Sequence, residues 1–237
     1  MSTSLPKRLT GIDETNRDQH AFLQEGDQCL FFGEYFAGKG YQGGGTNQLI
    51  YNFKTLPSVA RTIPARRNYK ESAIGIIAAG LREVLGRGQI ERLTFVPVPP
   101  SKTLGHADYD DRLIRALTLG CAGFNADIRP LLRRSSSTES DHSAGDRLTP
   151  EALYSLLELD SAALAAEPPR AAIVLFDDVI TTGKSFKCCE RRLRGAIAAT
   201  VPIIGLFVAR RILRNPFDDF VPVSRPIEGL PASGTSP

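Results

Sequence analysis

The chain has 237 residues, 42% hydrophobic and 23% charged, with a formal net charge of +3. That is enough apolar material for the core of one α/β domain with appendages, and the net charge is too small to argue for nucleic acid as a partner. The longest apolar stretches, near 73–79 and 201–209, fall well short of the about 20 residues a bilayer span requires. The polar residues 1–28 lack the apolar centre of a secretion signal, so a cytoplasmic location with no membrane partner is expected.

In chain order, residues 1–25 read as a flexible tail. Cys29–Tyr35 and Asn47–Phe53 read as strands separated by the turn-rich 38–45, and residues 26–70 form a small N-terminal subdomain. Lys70–Leu85 repeats apolar residues at helical spacing and is ended by Gly86 and Gly88. Leu93–Val98 is a short buried strand stopped by Pro99 and Pro100, Asp110–Leu119 a helix, and Ala126–Leu132 a candidate strand. Arg133–Arg147, rich in Ser and charge, reads as a mobile loop, and a helix from Thr149 or Pro150 to about Leu159 follows. Ala171–Phe176 and Pro202–Ala209 are strands buried on both faces, separated by the helix Lys184–Arg194. Residues 71–214 thus make one α/β core with a central, mostly parallel sheet flanked by helices, and 215–237 is a Pro/Ser-rich tail. Cys29, Cys121, Cys188 and Cys189 form no C-x-x-C pair, so buried reduced thiols are expected and no zinc.

In such sheets ligands sit beyond the carboxyl ends of the strands. One of those ends reads Val174-Leu175-Phe176-Asp177-Asp178-Val179-Ile180-Thr181-Thr182-Gly183-Lys184-Ser185. A strand delivers two carboxylates, a hydroxyl- and glycine-containing turn follows, and a helix begins at once. Its first N–H groups and positive dipole end suit a phosphate. The carboxylates repel phosphate and need hydroxyl donors or a cation, so the set suits a sugar phosphate. Gly183-Lys184-Ser185 is not a Walker loop, because Asp178 stands where that motif needs glycine.

This segment resembles the 5-phosphoribosyl-1-pyrophosphate (PRPP) motif of type I phosphoribosyltransferases. Phe95-Val96-Pro97-Val98-Pro99-Pro100 and Tyr51-Asn52-Phe53-Lys54 are similar to segments of the ComF-like branch, here without that branch's four-cysteine zinc module. The resemblance implies the type I phosphoribosyltransferase fold, with residues 26–70 as its hood. It implies that Asp177 and Asp178 meet the ribose hydroxyls and, directly or indirectly, Mg²⁺. It further implies that Val179, Ile180, Thr181, Thr182, Gly183, Lys184 and Ser185 bind PRPP around its 5-phosphate, and that Pro99, Pro100, Ser101 and Lys102, with Arg133 or Arg134, hold pyrophosphate.

Each supporting residue also has a plainer reading. Lys102 is a phosphate ligand or a solvated lysine, Lys54 a site residue or a cap, and His142 an acid or a solvated loop residue. Asp110, Asp111 and Arg112 open a helix, where acids suit the dipole without any function, or they contact Mg²⁺ or substrate. Phe31, Phe32, Tyr35, Phe36 and Tyr41 are the subdomain's own core or a base-stacking surface. The segment Ala107–Arg112 departs from the ComF-like pattern and leaves the acceptor unidentified. The expected activity is displacement of pyrophosphate from PRPP by a nitrogen nucleophile on a base-like acceptor, in a monomer or homodimer. The alternatives are a non-catalytic PRPP- or nucleotide-sensing module, or an effector subunit of a DNA-uptake or phage-defence assembly with nucleic-acid or protein partners.

Overall fold

Three apolar runs form the centre of the sheet: β3 (Leu93–Pro97), β7 (Ala172–Ile180) and β8 (Ile203–Ile212). Phe95, Val96, Ile173, Leu175, Phe176 and Val208 are wholly buried, as strands covered on both faces require. The computed structural model describes residues 5–138 and 148–213. Around the central strands lie β1 (Thr10–Gly11), β2 (Gln28–Phe36) and β4 (Asp127–Ile128), in the order β1-β2-β8-β7-β3-β4. Every pairing is parallel except β1 with β2.

Helices cover both faces. On one lie α1 (Gly45–Phe53), α3 (Pro64–Ile90) and α4 (Arg112–Gly120), whose Phe53, Ile77, Leu81 and Leu117 pack with Val174 and Phe176. On the other lie α5 (Pro150–Ser155) and α7 (Lys184–Arg194), whose Leu153, Phe186 and Leu193 pack with Ile173 and Leu175. The short helices α2 (Pro57–Thr62) and α6 (Ser161–Ala166) sit between larger elements. This is a mixed α/β fold with a mostly parallel central sheet flanked by helices, as the sequence implied. The four cysteines are buried free thiols.

Several expectations need correction. Asn47–Phe53 is not a strand but lies within α1. Leu49, Ile50 and Phe53 recur at helical spacing and point into the core, and buried Asn47 ties the helix to β2 by two bonds to the backbone of Phe36, at 2.8 and 2.9 Å. The supposed subdomain strand, β2, belongs to the central sheet, pairing with β8 along its whole length.

Residues 5–25 are not a loose tail, because Leu5, Ile12 and Leu23 are buried in the cores and His20 is fully enclosed. The 126–132 segment is broken by Pro130 into β4 and the start of β5 (Leu132–Arg134), which belong to different sheets. The helix after Pro150 stops at Ser155, and β6 (Leu157–Leu159) turns back to pair with β5. Arg133 and Arg134 therefore lie in a separate two-stranded antiparallel sheet. Residues 139–147, with His142, and the 215–237 tail lie outside the described residues.

The contact of α3 with α4 sets the position of the residues at their amino ends. A Cβ on Gly120 would meet the Ala78 carbonyl oxygen at 2.8 Å. Gly120→Ala is therefore expected to cost about 1–3 kcal/mol, read as a fall in denaturation midpoint; an unchanged midpoint would contradict this packing.

Candidate functional site

The crevice follows from the winding of the chain. From β3 the chain crosses through α4 on one face, whereas from the adjacent β7 it crosses through α7 on the other. The direction of winding reverses between β3 and β7, and a cleft opens beyond their carboxyl ends. The segments there are Pro97–Lys102 and Asp177–Gly183, held together by a bond from the Val98 N–H to the Phe176 carbonyl oxygen at 2.9 Å.

Strand β7 continues past Phe176 to Ile180, so the two carboxylates lie within the strand and not at its end. Adjacent strand residues point to opposite faces. Asp178 stands on the α1/α3/α4 side and is buried. Lys54 Nζ meets its Oδ1 at 3.0 Å, and Arg112 Nη2 donates to its Oδ2. Arg112 also donates to Asp110 Oδ2 at 2.8 Å, which Lys70 Nζ meets at 2.7 Å. A second Lys70 bond goes to the Thr55 carbonyl oxygen at 2.6 Å. A continuous chain of charge thus runs from α3 through α4 to β7 and on to the end of α1. Removing one partner of a buried pair strands the other charge, typically at about 3–5 kcal/mol.

These surroundings drive the two carboxyls apart in acidity. Burial alone would raise Asp178, but Lys54 and Arg112 outweigh it and hold its carboxyl well below the usual carboxylate range. Among the described residues no cation pairs directly with Asp177, and the pull of Lys54 and Arg112 on it is the weaker influence. Burial first, and then the Asp178 charge, push it up to about 7, and its Oδ1 accepts the Asp178 N–H at 2.7 Å.

The turn after β7 is strapped from behind by the N-terminal segment. The Phe22 N–H donates to the Thr182 carbonyl oxygen at 2.9 Å, and His20 Nδ1 to the Thr181 carbonyl oxygen. With its carbonyls so engaged, the turn sits at the amino end of α7, where Gly183 supplies no side-chain cap and the first-turn N–H groups have no partner within the helix. Gly183 has φ +82°, a left-handed conformation that favours glycine, and a Cβ there would meet Leu23 Cδ2 at 2.8 Å. Burial lowers the basicity of His20 despite its bond, and Nε2 finds no partner among the described residues, which fits a neutral ring protonated at Nδ1.

A cleft of about 900 Å³ joins these parts. Val179 and Thr181 line it on the β7 side and Pro100, Ser101 and Lys102 on the β3 side; Ile50 and Tyr51 come from α1, and Leu56 and Val59 from the start of α2. Lys54, Arg66, Lys102, Arg112 and Arg211 line it together with His106, Asp108 and Asp110, and Asp178 lies beneath Lys54 and Arg112, so the lining carries more cations than acids.

Among the other expected site residues, Pro99 lines a small neighbouring cavity, and Ile180 is buried in the α7-side core. The Lys184 side chain turns away to the Leu148 carbonyl oxygen at 2.7 Å. Arg133 is exposed and paired with Glu158 at 2.8 Å, and neither it nor Arg134 lines the cleft. Asp177 and Asp178 are not in the cleft lining either; Asp178 lies beneath Lys54 and Arg112. The loop after β5 docks on the Pro100–Lys102 segment, with the Thr138 N–H on the Ser101 carbonyl oxygen at 2.9 Å.

Sequence reasoning assigned no role to Lys70 or His20, and read Arg112 first as part of a helix start. Arg112 did leave a signal, since a cation in the first turn of a helix opposes the dipole and asks for compensating acids. His20 left none, its partner lying 161 residues away.

No group of His, Cys, Asp and Glu among the described residues is arranged to hold a metal by itself. No protein-family model matches the chain, and no match is found among curated proteins.

The raised Asp177 gives a pH test. Between its ordinary value of 3.8 and about 7 the folded protein keeps a proton that the unfolded chain has released, so stability falls as pH rises through that window. Asp177→Asn, which keeps the acceptor for the Asp178 N–H, is expected to raise the melting temperature at pH 8, with the gain gone by pH 4. An equal change at both pH values would show that Asp177 is not raised.

Proposed function

We propose that the chain binds PRPP or a closely similar phosphorylated ribose, on a type I phosphoribosyltransferase fold whose hood is the N-terminal lobe. The observation that carries the reading is the single basic cleft that runs from Thr181, beside the α7 amino end, to the Pro100–Lys102 loop. One end offers a turn backed by the strap; the other offers Lys102 and backbone next to β3. A molecule with a phosphate at one end and a pyrophosphate at the other matches that division.

Bound this way, the 5-phosphate takes the Thr181–Ser185 turn, whose hydroxyls and N–H groups donate to it. The pyrophosphate takes Ser101 and Lys102, with Arg112 and Lys54 on the flank. The ribose lies over Val179. Its hydroxyls reach Asp178 only if Lys54 or Arg112 gives way, so ligand binding exchanges one partner of that carboxylate for another.

Mg²⁺ fits as a companion of the ligand and not as a resident ion. Asp177 is a carboxyl with no direct ion pair among the described residues, and Mg²⁺ characteristically binds through one or two carboxylates together with substrate phosphates. When bound, the ion neutralises charge on the departing pyrophosphate. The protein's own part is to hold the anionic groups and exclude water. In the reaction a nitrogen lone pair forms a bond to ribose carbon 1, the C1–O bond breaks with its electron pair leaving on pyrophosphate, and the nucleophile gives a proton to solvent. An oxocarbenium-like transition state is expected by analogy with glycoside cleavage.

Calorimetric titration with Mg²⁺ and three ligands tests the division of the cleft. Lys102→Ala is expected to weaken PRPP and pyrophosphate about tenfold or more but spare ribose 5-phosphate. Ser185→Ala should weaken PRPP and ribose 5-phosphate but spare pyrophosphate. Absence of PRPP binding by the unaltered protein, or equal effects of both substitutions on all three ligands, would sink the reading.

A further inference from the structure

The charge of this chain is segregated. From Tyr35 to Lys70 there is no Asp or Glu, yet the stretch carries Lys39, Lys54, Arg61, Arg66, Arg67 and Lys70. Lys54 and Lys70 face inward to Asp178 and Asp110. Lys39, Arg61 and Arg67 are exposed, and Arg66 is half-buried. A modest net charge of +3 therefore conceals a strongly basic lobe on a remainder that is net acidic.

The same lobe concentrates exposed rings and apolar side chains. Phe36, Tyr41, Tyr51, Leu56, Ile63 and Tyr69 lie in it, against four others elsewhere among the described residues: Phe22, Leu104, Leu119 and Leu213. Tyr41 and Tyr51 have ring centroids 4.5 Å apart with planes tilted by 52°. The Arg66 guanidinium lies 5.0 Å from the Tyr51 centroid and 6.0 Å from that of Tyr41, and its Nη2 donates to the Tyr51 hydroxyl at 3.3 Å. The cluster is held in place by its own contacts while both tyrosines stay exposed, at 41% for Tyr41 and 45% for Tyr51. Tyr51 and Arg66 also line the cleft, so the cluster stands at its mouth.

We infer that this lobe binds single-stranded nucleic acid, with bases stacked on the Tyr41–Tyr51–Arg66 cluster and phosphates on Lys39, Arg61 and Arg67. Aromatic and guanidinium planes stack unpaired bases, and flanking cations track the backbone without reading sequence. A duplex hides its base faces and would engage the cations alone. A membrane surface is disfavoured, because the apolar side of α1, with Leu49, Ile50 and Phe53, is already buried in the core and no helix face is left to insert. The site does not depend on the sugar-phosphate reading of the β7–α7 turn.

The test is fluorescence anisotropy with a labelled oligo-dT strand on the full chain. Binding is expected, weakening about tenfold between 50 and 200 mM salt for some three phosphate contacts. Tyr41→Ala with Tyr51→Ala is expected to weaken it about tenfold or more, and Arg66→Lys, which keeps charge but loses the planar stack, by several-fold. Arg61→Gln with Arg67→Gln should instead flatten the salt dependence. No binding, equal competition by heparin and unlabelled strand, binding indifferent to the tyrosines, or preference for anionic lipid vesicles would each overturn the proposal. Lys102→Ala serves as the separating control. Loss of PRPP with dT binding retained leaves both readings standing, while dT binding without any PRPP binding by the unaltered protein leaves only this one.

Discussion

The Asp178 carboxylate, held between Lys54 and Arg112, is the interaction around which the rest is arranged. It joins by charge three elements that also share one core: the end of α1, the start of α4 and the carboxyl-terminal half of β7. A charge placed within a buried strand is costly, and it persists because two cations and a second acid, Asp110, close the network. Phe53 and the α3–α4 packing support it from below, anchoring the backbone that carries Lys54 and Arg112. The end of α1 is thereby tied to the strand through charge, and the cleft lies over that tie.

The neighbouring carboxyl shows what the network does by contrast. Asp177 and Asp178 differ by one position and by one face of the sheet, yet Lys54 and Arg112 paired directly with Asp178 lower it, while at Asp177 burial and the Asp178 charge outweigh the same cations and raise it. One acid is a settled charge that builds the site, and the other, bonded at its Oδ1 by the Asp178 N–H, holds its proton to higher pH. Behind them, the strap from His20 to Leu23 takes up the carbonyls of the turn and packs on Gly183. Strand, network and strap together put one cleft between the β3 and β7 ends.

Much of this architecture was legible in the residues. The runs that form β3, β7 and β8 are continuous and apolar, and α7 is bounded by Gly183 and Gly195, so period and punctuation agreed with the fold. Asn47–Phe53 misled because a short apolar run does not declare its period; the helix is decided by what Leu49, Ile50 and Phe53 pack against. The order of 5–25 was hidden because its anchors, Leu5, Ile12, His20 and Leu23, are scattered singly among polar residues and find partners only in distant elements. For the candidate site, the turn and the Pro-rich loop could be read locally. The Asp110–Lys70–Arg112–Asp178 network could not, since it is assembled by tertiary packing.

Phosphorus NMR of PRPP with Mg²⁺ and the purified protein probes the central claim most directly, because the 5-phosphate and the pyrophosphate give separate resonances. A single cleft holding both ends predicts that both sets of resonances shift or broaden together, at the same protein concentration. Perturbation of one set alone, or of neither, would contradict a cleft that spans the Thr181 turn and the Pro100–Lys102 loop.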